Sequence, residues 1–293
     1  MRQLLMTLSL TAATVANAQQ VPAPRCQVSG PVARIAELPE ASGVAVSRRS
    51  PGRLWSHNDS GEPVLVALDA RGAVTGRVRL SGVKLEDWEA LAVGSCPAGS
   101  CIYIGDIGDN QAARKRITIH RVPEPSTEDA VAVKEMFHGT YPDGAHDAET
   151  LLVAADGGLF IVTKGETGAV GLYRFPRELR PGATHQLERV GKTRASKKAS
   201  ETDRITDGAV SPDGTWVVLR TRQDLAFHRA ADLFAGNWLE AGRVDLKGVG
   251  EAQGEGVAIA ADGTVFLTGE GGGKSQPGTF ARFACSTKSP DPR

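Results

Sequence analysis

Five oxygen-bearing side chains recur along the chain, each at the start of a short apolar segment. They are Ser42 in EASGVAV, Glu89 in DWEALAV, Glu149 in DAETLLV, Asp207 in ITDGAVS and Glu255 in GEGVAIA. If symmetry brings them together around one axis, their carboxylates repel one another or take up protons unless a cation balances them. Calcium accepts several oxygen ligands in a flexible geometry, whereas zinc and copper favour His or Cys. The set therefore predicts an axial Ca²⁺ site, and capping of turns is the structural alternative for each residue.

A second group of polar residues follows the next apolar segment of each repeat. The acids Asp59, Asp106, Asp109 and Glu270 are predicted to hold a second metal or position a water, as catalytic residues. His57, Lys164, Arg220 and Arg222 are predicted to bind the phosphate or carboxylate of a small anionic substrate. The alternative is that these opposite charges only pair with one another between neighbouring repeats.

The spacing of the first group indicates the elements that position it. The five starts recur at intervals of roughly 50 to 60 residues, which is typical of a repeat architecture such as a β-propeller. Each start precedes apolar, β-branched segments separated by Gly-containing turns, and helical patterns are scarce. We therefore predict an all-β propeller of five blades with four strands each. The segment 26–38 is expected to supply the missing strand of the last blade, and a sixth, degenerate blade at 177–203 is the alternative.

The N-terminus and the cysteines indicate the compartment. Arg2, the apolar stretch 4–15 and Ala16-Asn17-Ala18 predict a signal peptide over 1–18, leaving a single domain over 19–293 in the periplasm or outside the cell. In an oxidising compartment an even number of cysteines favours disulfides. The pairing Cys26–Cys285 would join the mature termini and Cys96–Cys101 would pin a hairpin, although three pairings are formally open.

Composition excludes several classes of function. The 293 residues carry 34 Lys and Arg against 34 Asp and Glu, a formal net charge of zero. No overall field favours nucleic acid, and no stretch is long and apolar enough to insert into a membrane. Charge-based function must therefore be local.

The strand starts around Glu89 and Glu255, DWEALAV and GEGVAIA, resemble those of the calcium-dependent apyrases, also called soluble calcium-activated nucleotidases. This resemblance implies a five-bladed propeller whose central calcium is held by a Ser/Glu ring, with basic residues where this chain has Lys164 and Arg220. Asp207 departs from that pattern, because the family has a second Ser there. The phrase GEGVAIAADGTVFLTGEGGG is more weakly similar to phytase-like propellers.

These observations lead to a primary functional prediction and two alternatives. The primary prediction is a Ca²⁺-dependent hydrolase of phosphoesters or phosphoanhydrides at one mouth of the propeller channel. The alternatives are a non-catalytic ligand- or protein-binding propeller with structural Ca²⁺, and a lactonase- or esterase-type hydrolase.

Overall fold

The chain folds into five β-sheets arranged as the blades of a propeller, in a computed structural model that describes residues 24–126, 130–191 and 198–286. The predicted signal peptide lies outside these residues. The prediction of an all-β fold with five four-stranded blades is confirmed. Within the described ranges, the only α-helix is Ala230–Phe234, a single 3-10 turn covers Glu201–Asp203, and no helix is long and apolar enough to cross a membrane.

Each blade is an antiparallel sheet that begins at the propeller axis and ends at the rim. The first blade contains Ala41–Val46, Arg53–Asn58, Val64–Asp69 and Val74–Ser81, and the second contains Trp88–Cys96, Gly99–Asp106, Ile117–Pro123 and Glu135–Thr140. The third contains Ala148–Val153, Leu159–Thr163, Leu172–Arg174 and Glu188–Arg189, and the fourth contains Asp207–Val210, Trp216–Arg220, Asp224–Arg229 and Glu240–Asp245. The fifth contains Gln253–Ile259, Thr264–Glu270 and Gly278–Ser286 together with the N-terminal strands Arg25–Val28 and Ala33–Ile35.

The N-terminal strands close the circle as predicted. Arg25–Val28 pairs antiparallel with Gly278–Ser286, and Cys26 stands opposite Cys285 in that register. Both predicted disulfides, Cys26–Cys285 and Cys96–Cys101, are present. The alternative of a sixth blade is wrong, because the described residues form five sheets and the two strands described within 177–203 belong to existing blades. Thr184–Gln186 lies parallel to the outer strand of blade 2, and Glu188–Arg189 is the outer strand of blade 3.

Glycine makes the turn between the first and second strands of every blade. The residues are Gly52, Gly99, Gly157, Gly214 and Gly263, all with φ between 71° and 93°. Other residues rarely adopt this left-handed backbone, so the turn sequences set where each hairpin reverses. The position of each turn sets the end of the first strand. The predicted axial residue stands at the start of that strand, on the side of the propeller away from the turn.

The hydrophobic core lies between the blades rather than at the axis. Trp55 and Trp88 are buried between blades 1 and 2, and Trp216 is buried between blades 4 and 5. Because each sheet packs face to face against its neighbour, the first strands are held close together around a central channel. At Gly43 a β-carbon would come within 2.5 Å of the Leu91 backbone nitrogen, so only glycine permits this approach.

Candidate functional site

The five predicted axial residues meet at one end of the channel, which we call the mouth. Ser42, Glu89, Glu149, Asp207 and Glu255 start the five first strands, and we call them the axial ring. Ser42 Oγ lies 2.8 Å from the Glu89 carbonyl oxygen and 3.2 Å from Glu89 Oε2, and donates to them. Asp207 Oδ2 accepts a hydrogen bond of 2.8 Å from the Val257 amide of the next blade. Four of the five residues are buried, and Glu89 is partly exposed.

A local irregularity of the backbone positions four of these side chains. The pairing of the first and second strands shifts register between Ala41 and Val44, Trp88 and Ala90, Ala148 and Thr150, and Gly254 and Val257. Each shift is a β-bulge that spans the ring residue of its blade. A bulge bends its strand and redirects a side chain that regular pleating would aim elsewhere. Asp207 of blade 4 has no such bulge and pairs regularly with Arg220.

Burial raises the pKa of the ring carboxyls, and their mutual repulsion raises it further. The pKa values of Glu89 and Glu255 lie well above the ordinary range because of desolvation and then the charge of Glu149. Desolvation also holds the pKa of Asp207 well above its usual value. The pKa of Glu149 is raised to about 7 by burial, although Lys164 opposes the shift. The ring is therefore short of positive charge.

Lys164 supplies part of that charge from within the protein. Its ammonium contacts the carboxylate of Glu149 directly and lies 3.7 Å from both Asp147 Oδ2 and Glu166 Oε2. Among the described residues it is the only cationic group that forms an ion pair with a ring carboxylate. Burial opposes its ionisation, but the charges of Glu149 and Asp147 outweigh this effect and raise the pKa of Lys164, so its amine is charged at neutral pH.

The residues of the mouth fit a hard cation. Buried carboxylate oxygens of Asp59, Asp147, Asp207 and Glu251 have no hydrogen-bond partner. A desolvated carboxylate oxygen without a donor is costly unless a cation or water satisfies it. All of these donors are oxygen atoms, which calcium prefers. In the part of the chain that the structure describes, however, no group of three or more His, Cys, Asp or Glu side chains is yet arranged closely enough to hold a metal. The donor types therefore suit calcium, whereas the present positions of these side chains do not by themselves form a metal site.

Metal-free protein should lose stability as the pH rises through neutrality. The folded-state pKa of Glu149, about 7, exceeds its ordinary value of 4.5, so the folded state binds this proton more tightly than the unfolded chain. The resulting stabilisation is complete below about pH 4.5 and disappears as the pH rises through 7. We expect the Tm in chelator to fall between pH 5 and pH 8, and Glu149→Gln to reduce this fall. A Tm that rises across the same interval would contradict the assignment.

Sequence reasoning missed a second layer of acids at the mouth. The residues two positions before the five ring residues are Glu40, Asp87, Asp147, Ile205 and Gln253. Of these acids, Asp87 and Asp147 form Asp-x-Glu pairs with the ring residues Glu89 and Glu149. Burial and then the charge of Asp147 raise the pKa of Asp87. Because alternate residues of a strand share a face, the pattern Asp-x-Glu in DWE and DAE was a usable signal. Glu166 and Glu251, which lie in loops, had no comparable signal.

Of the predicted catalytic acids, Asp59 and Glu270 lie together at the mouth between blades 1 and 5. Burial and the nearby charges of Glu40 and Asp87 raise the pKa of Asp59 to about 6. Burial and the charge of Asp59 also raise the pKa of Glu270, whose Oε1 accepts a 2.8 Å hydrogen bond from Gln253. Both carboxyls are partly exposed and remain available to a ligand.

Asp106 and Asp109 are instead committed to local structure. Asp106 Oδ1 lies 2.8 Å from Arg114 Nη2. Burial opposes its ionisation, but the His120 imidazole, 3.8 Å from Asp106 Oδ2, and the Arg114 guanidinium hold its pKa below the usual value. The carboxylate of Asp109 accepts bonds of 2.9 Å and 2.7 Å from the amides of Ala113 and Arg114. Their predicted catalytic roles gain no support from these placements.

The predicted substrate-binding cations are also engaged within the protein. Arg220 is fully buried: its Nη1 donates to the carbonyl oxygens of Gly256 and Thr268 at 2.6 Å and 2.7 Å, and its Nη2 contacts Glu251. It therefore ties blade 4 to blade 5 beside Glu255. Arg222 pairs at 3.0 Å with Glu201.

His57 is buried under the mouth. Desolvation lowers its pKa to about 4, and its ring packs edge-on against Trp88 at a centroid distance of 5.8 Å. It is therefore neutral at physiological pH. A neutral, enclosed imidazole contributes no positive charge for binding an anion.

The fold and mouth together define a five-bladed propeller with an acidic channel end. No family model and no curated protein matches this chain. The PQQ-bound form of aldose sugar dehydrogenase from Streptomyces coelicolor is similar in structure, with a TM-score of 0.55 and 13% identity, over 91% of this chain and 100% of that one. A gluconolactonase, XC5397 of Xanthomonas campestris, gives a TM-score of 0.44 and 16% identity over 83% and 72%. At these identities the likeness shows the fold alone. The apyrase resemblance holds for the propeller fold, and the enzyme family itself stays a prediction.

Proposed function

We propose that the mouth binds Ca²⁺ through the axial ring and that the protein is a Ca²⁺-dependent hydrolase of uncharged esters or lactones. The observation that supports this proposal is the excess of buried carboxylates at the mouth. Among the described residues, Lys164 is the only cation that forms an ion pair with a ring carboxylate or with Asp147 beside the ring, and Arg220 adds a longer-range attraction to Asp207. A divalent cation would offset the remaining negative charge.

The engagement of the basic residues favours an uncharged substrate over a phosphate. A phosphate-binding site needs free cationic donors. Lys164 is held by Glu149, and the fully buried Arg220 by Glu251 and two carbonyls, so both are already engaged within the protein. An ester or lactone approaches the acidic mouth without electrostatic repulsion. The esterase or lactonase alternative thus fits the mouth better than the phosphohydrolase predicted first.

Asp59 is the residue best suited to act as general base. Its pKa of about 6 leaves it ionised at neutral pH but more basic than an ordinary aspartate. One of its oxygens is buried without a partner, and burial and the charges of Glu40 and Asp87 raise its proton affinity. In the proposed reaction Asp59 takes a proton from the attacking water, whose oxygen bonds to the carbonyl carbon. Asp59 then returns this proton to the alcohol oxygen that leaves as the acyl C–O bond breaks. When bound, Ca²⁺ supplies positive charge that polarises the substrate carbonyl.

The two disulfides are consistent with an extracellular or periplasmic location, because such bonds persist in oxidising compartments. Export by the predicted signal peptide is part of this proposal. Millimolar calcium is common outside cells, where weak oxygen-ligand sites are used. The compartment and the proposed metal therefore agree.

Hydrolysis assays test the proposal. Purified protein is incubated with p-nitrophenyl butyrate and with δ-lactones, and in parallel with ATP, pyrophosphate and phytate, in calcium and in chelator. We expect calcium-dependent turnover of the ester or lactone, and a loss of about 100-fold or more in kcat for Asp59→Asn. Asp69→Asn, which alters a hairpin turn at the far end of blade 1, is the matched control.

The remaining outcomes separate the competing functions. Release of phosphate with no ester turnover would contradict this proposal and support the phosphohydrolase that the sequence predicted first. Calcium binding with no turnover of any substrate would favour the non-catalytic binding propeller.

A further inference from the structure

A cavity of about 330 Å³ lies in the channel beyond the axial ring. Its wall is formed by the second halves of the five first strands and the turns that follow them. Lining residues from the five strands include Val46, Val93, Val153, Val210 and Ile259. A volume of this size is at the lower end of the range of about 300–1,000 Å³ found for small-molecule sites. The cavity opens at the end of the channel opposite the mouth.

The first strands explain why the cavity is open and apolar. After each ring residue the strands continue as aliphatic segments rich in alanine, such as ALAV and VAIA, and Ala92, Ala209 and Ala258 leave space that larger side chains would fill. The polar side chains Ser47 and Ser211 are already hydrogen-bonded, to Glu124 and to Asp213. Among the described residues that line the cavity, Arg48 is the only one whose side chain carries a charge.

Arg48 gives the cavity a specific chemical character. It is exposed at the rim, and its Nη1 donates to Ser95 Oγ at 3.1 Å. Within the described part of the chain, no carboxylate oxygen lies within 4.0 Å of its guanidinium, which distinguishes it from Lys164 and Arg220 at the mouth. The nearby Glu124 is occupied by hydroxyl donors of Ser47 and Ser100 and by the indole of Trp55. The two ends of the channel therefore have opposite electrostatic preferences.

We propose that this cavity binds a small amphiphilic carboxylate, with its aliphatic body between the first strands and its carboxylate at Arg48. Guanidinium and carboxylate are matched in geometry and charge. The inner edges of the first strands are unpaired, so water or ligand oxygens at the opening satisfy their backbone groups. The site shares no residue with the axial ring. It is therefore independent of the proposed metal and of the proposed hydrolysis.

Isothermal titration of the full protein with straight-chain carboxylates in chelator tests this site. We expect octanoate to bind, and affinity to rise roughly fourfold for each methylene from hexanoate to octanoate, because each one buries further apolar surface. Arg48→Gln should weaken octanoate binding about three- to fivefold, the effect of one exposed ion pair. The same variant should leave the binding of octan-1-ol unchanged.

Arg49→Gln is the matched control, because Arg49 is adjacent, exposed and absent from the cavity wall. A second variant, Ala92→Phe, should fill the cavity and abolish binding of both ligands, with Tm measured to show that it folds. Absence of octanoate binding to the wild-type protein would overturn the proposal. Equal effects of Arg48→Gln and Arg49→Gln, or affinity independent of chain length, would also overturn it.

Discussion

Replacement of Arg220 by methionine should lower the free energy of unfolding by about 3–5 kcal/mol, the range measured when one partner of a buried ion pair is removed. The guanidinium is fully buried and donates to the carbonyl oxygens of Gly256 and Thr268 and to Glu251. Without it the Glu251 carboxylate stays buried with no counter-charge, and both carbonyl oxygens lose a donor. Blade 4 would also lose its tie to the segment that carries Glu255.

Chemical denaturation of both proteins measures this effect. Arg222→Met is the control, since Arg222 is more than a third exposed and its pair with Glu201 lies at the surface; we expect a change of about 0–1 kcal/mol there. The double variant Arg220→Met/Glu251→Gln should recover part of the loss, because the unpaired charge is gone. A loss no larger for Arg220→Met than for Arg222→Met would show that the buried tie does not stabilise the fold.

Replacement of Lys164 by methionine should destabilise the metal-free protein strongly, again by about 3–5 kcal/mol. Its ammonium lies in contact with Glu149 and 3.7 Å from Asp147 Oδ2 and Glu166 Oε2. Without it the carboxylates of the axial ring have no cation of the protein's own within ion-pair distance among the described residues. Calcium would then replace more of the missing charge than it does in the wild-type protein.

Thermal melts in chelator and in excess calcium measure both parts of this prediction. We expect the calcium-induced rise in Tm to be larger for Lys164→Met than for the wild-type protein. Lys134→Met is the control, because Lys134 is exposed beside the outer strand of blade 2 and has no part in the axial ring. A Lys164→Met protein as stable in chelator as the wild type would mean that the ammonium is not an essential counter-charge.

The sequence predicts the fold of this protein well because the same strand pattern occurs five times. Five similar strand starts define five blades, and the cysteines before the first repeat and in the last one, Cys26 and Cys285, indicate how the last blade closes. One copy of this strand pattern would not have been enough to predict a propeller. Two short strands join the blade that precedes them in the chain: Val131–Ala132 pairs parallel with blade 1, and Thr184–Gln186 pairs parallel with blade 2. The sequence did not predict these pairings, because strands of two or three residues carry too little pattern.

The sequence predicted the positions of the axial ring residues but not the partners of the long basic side chains. Residue type and register suffice to place Ser42, Glu89, Glu149, Asp207 and Glu255 at one mouth, because blade symmetry brings equivalent positions together. The partners of a long side chain do not follow from register. Lys164 and Arg220 end equivalent strands, yet one reaches into the ring and the other into the next blade.

Titration of metal-stripped protein with calcium tests the central claim, that the axial ring is a calcium site. At pH 7.5 we expect one Ca²⁺ to bind per chain, and a concentration of 100 Kd to stabilise the fold by about 2.7 kcal/mol. Glu89→Gln and Glu255→Gln should each weaken binding, whereas Glu178→Gln, an exposed change remote from the ring, should not. If the wild-type protein takes up no calcium, or the ring variants bind it as tightly as the wild type does, the ring is not a calcium site.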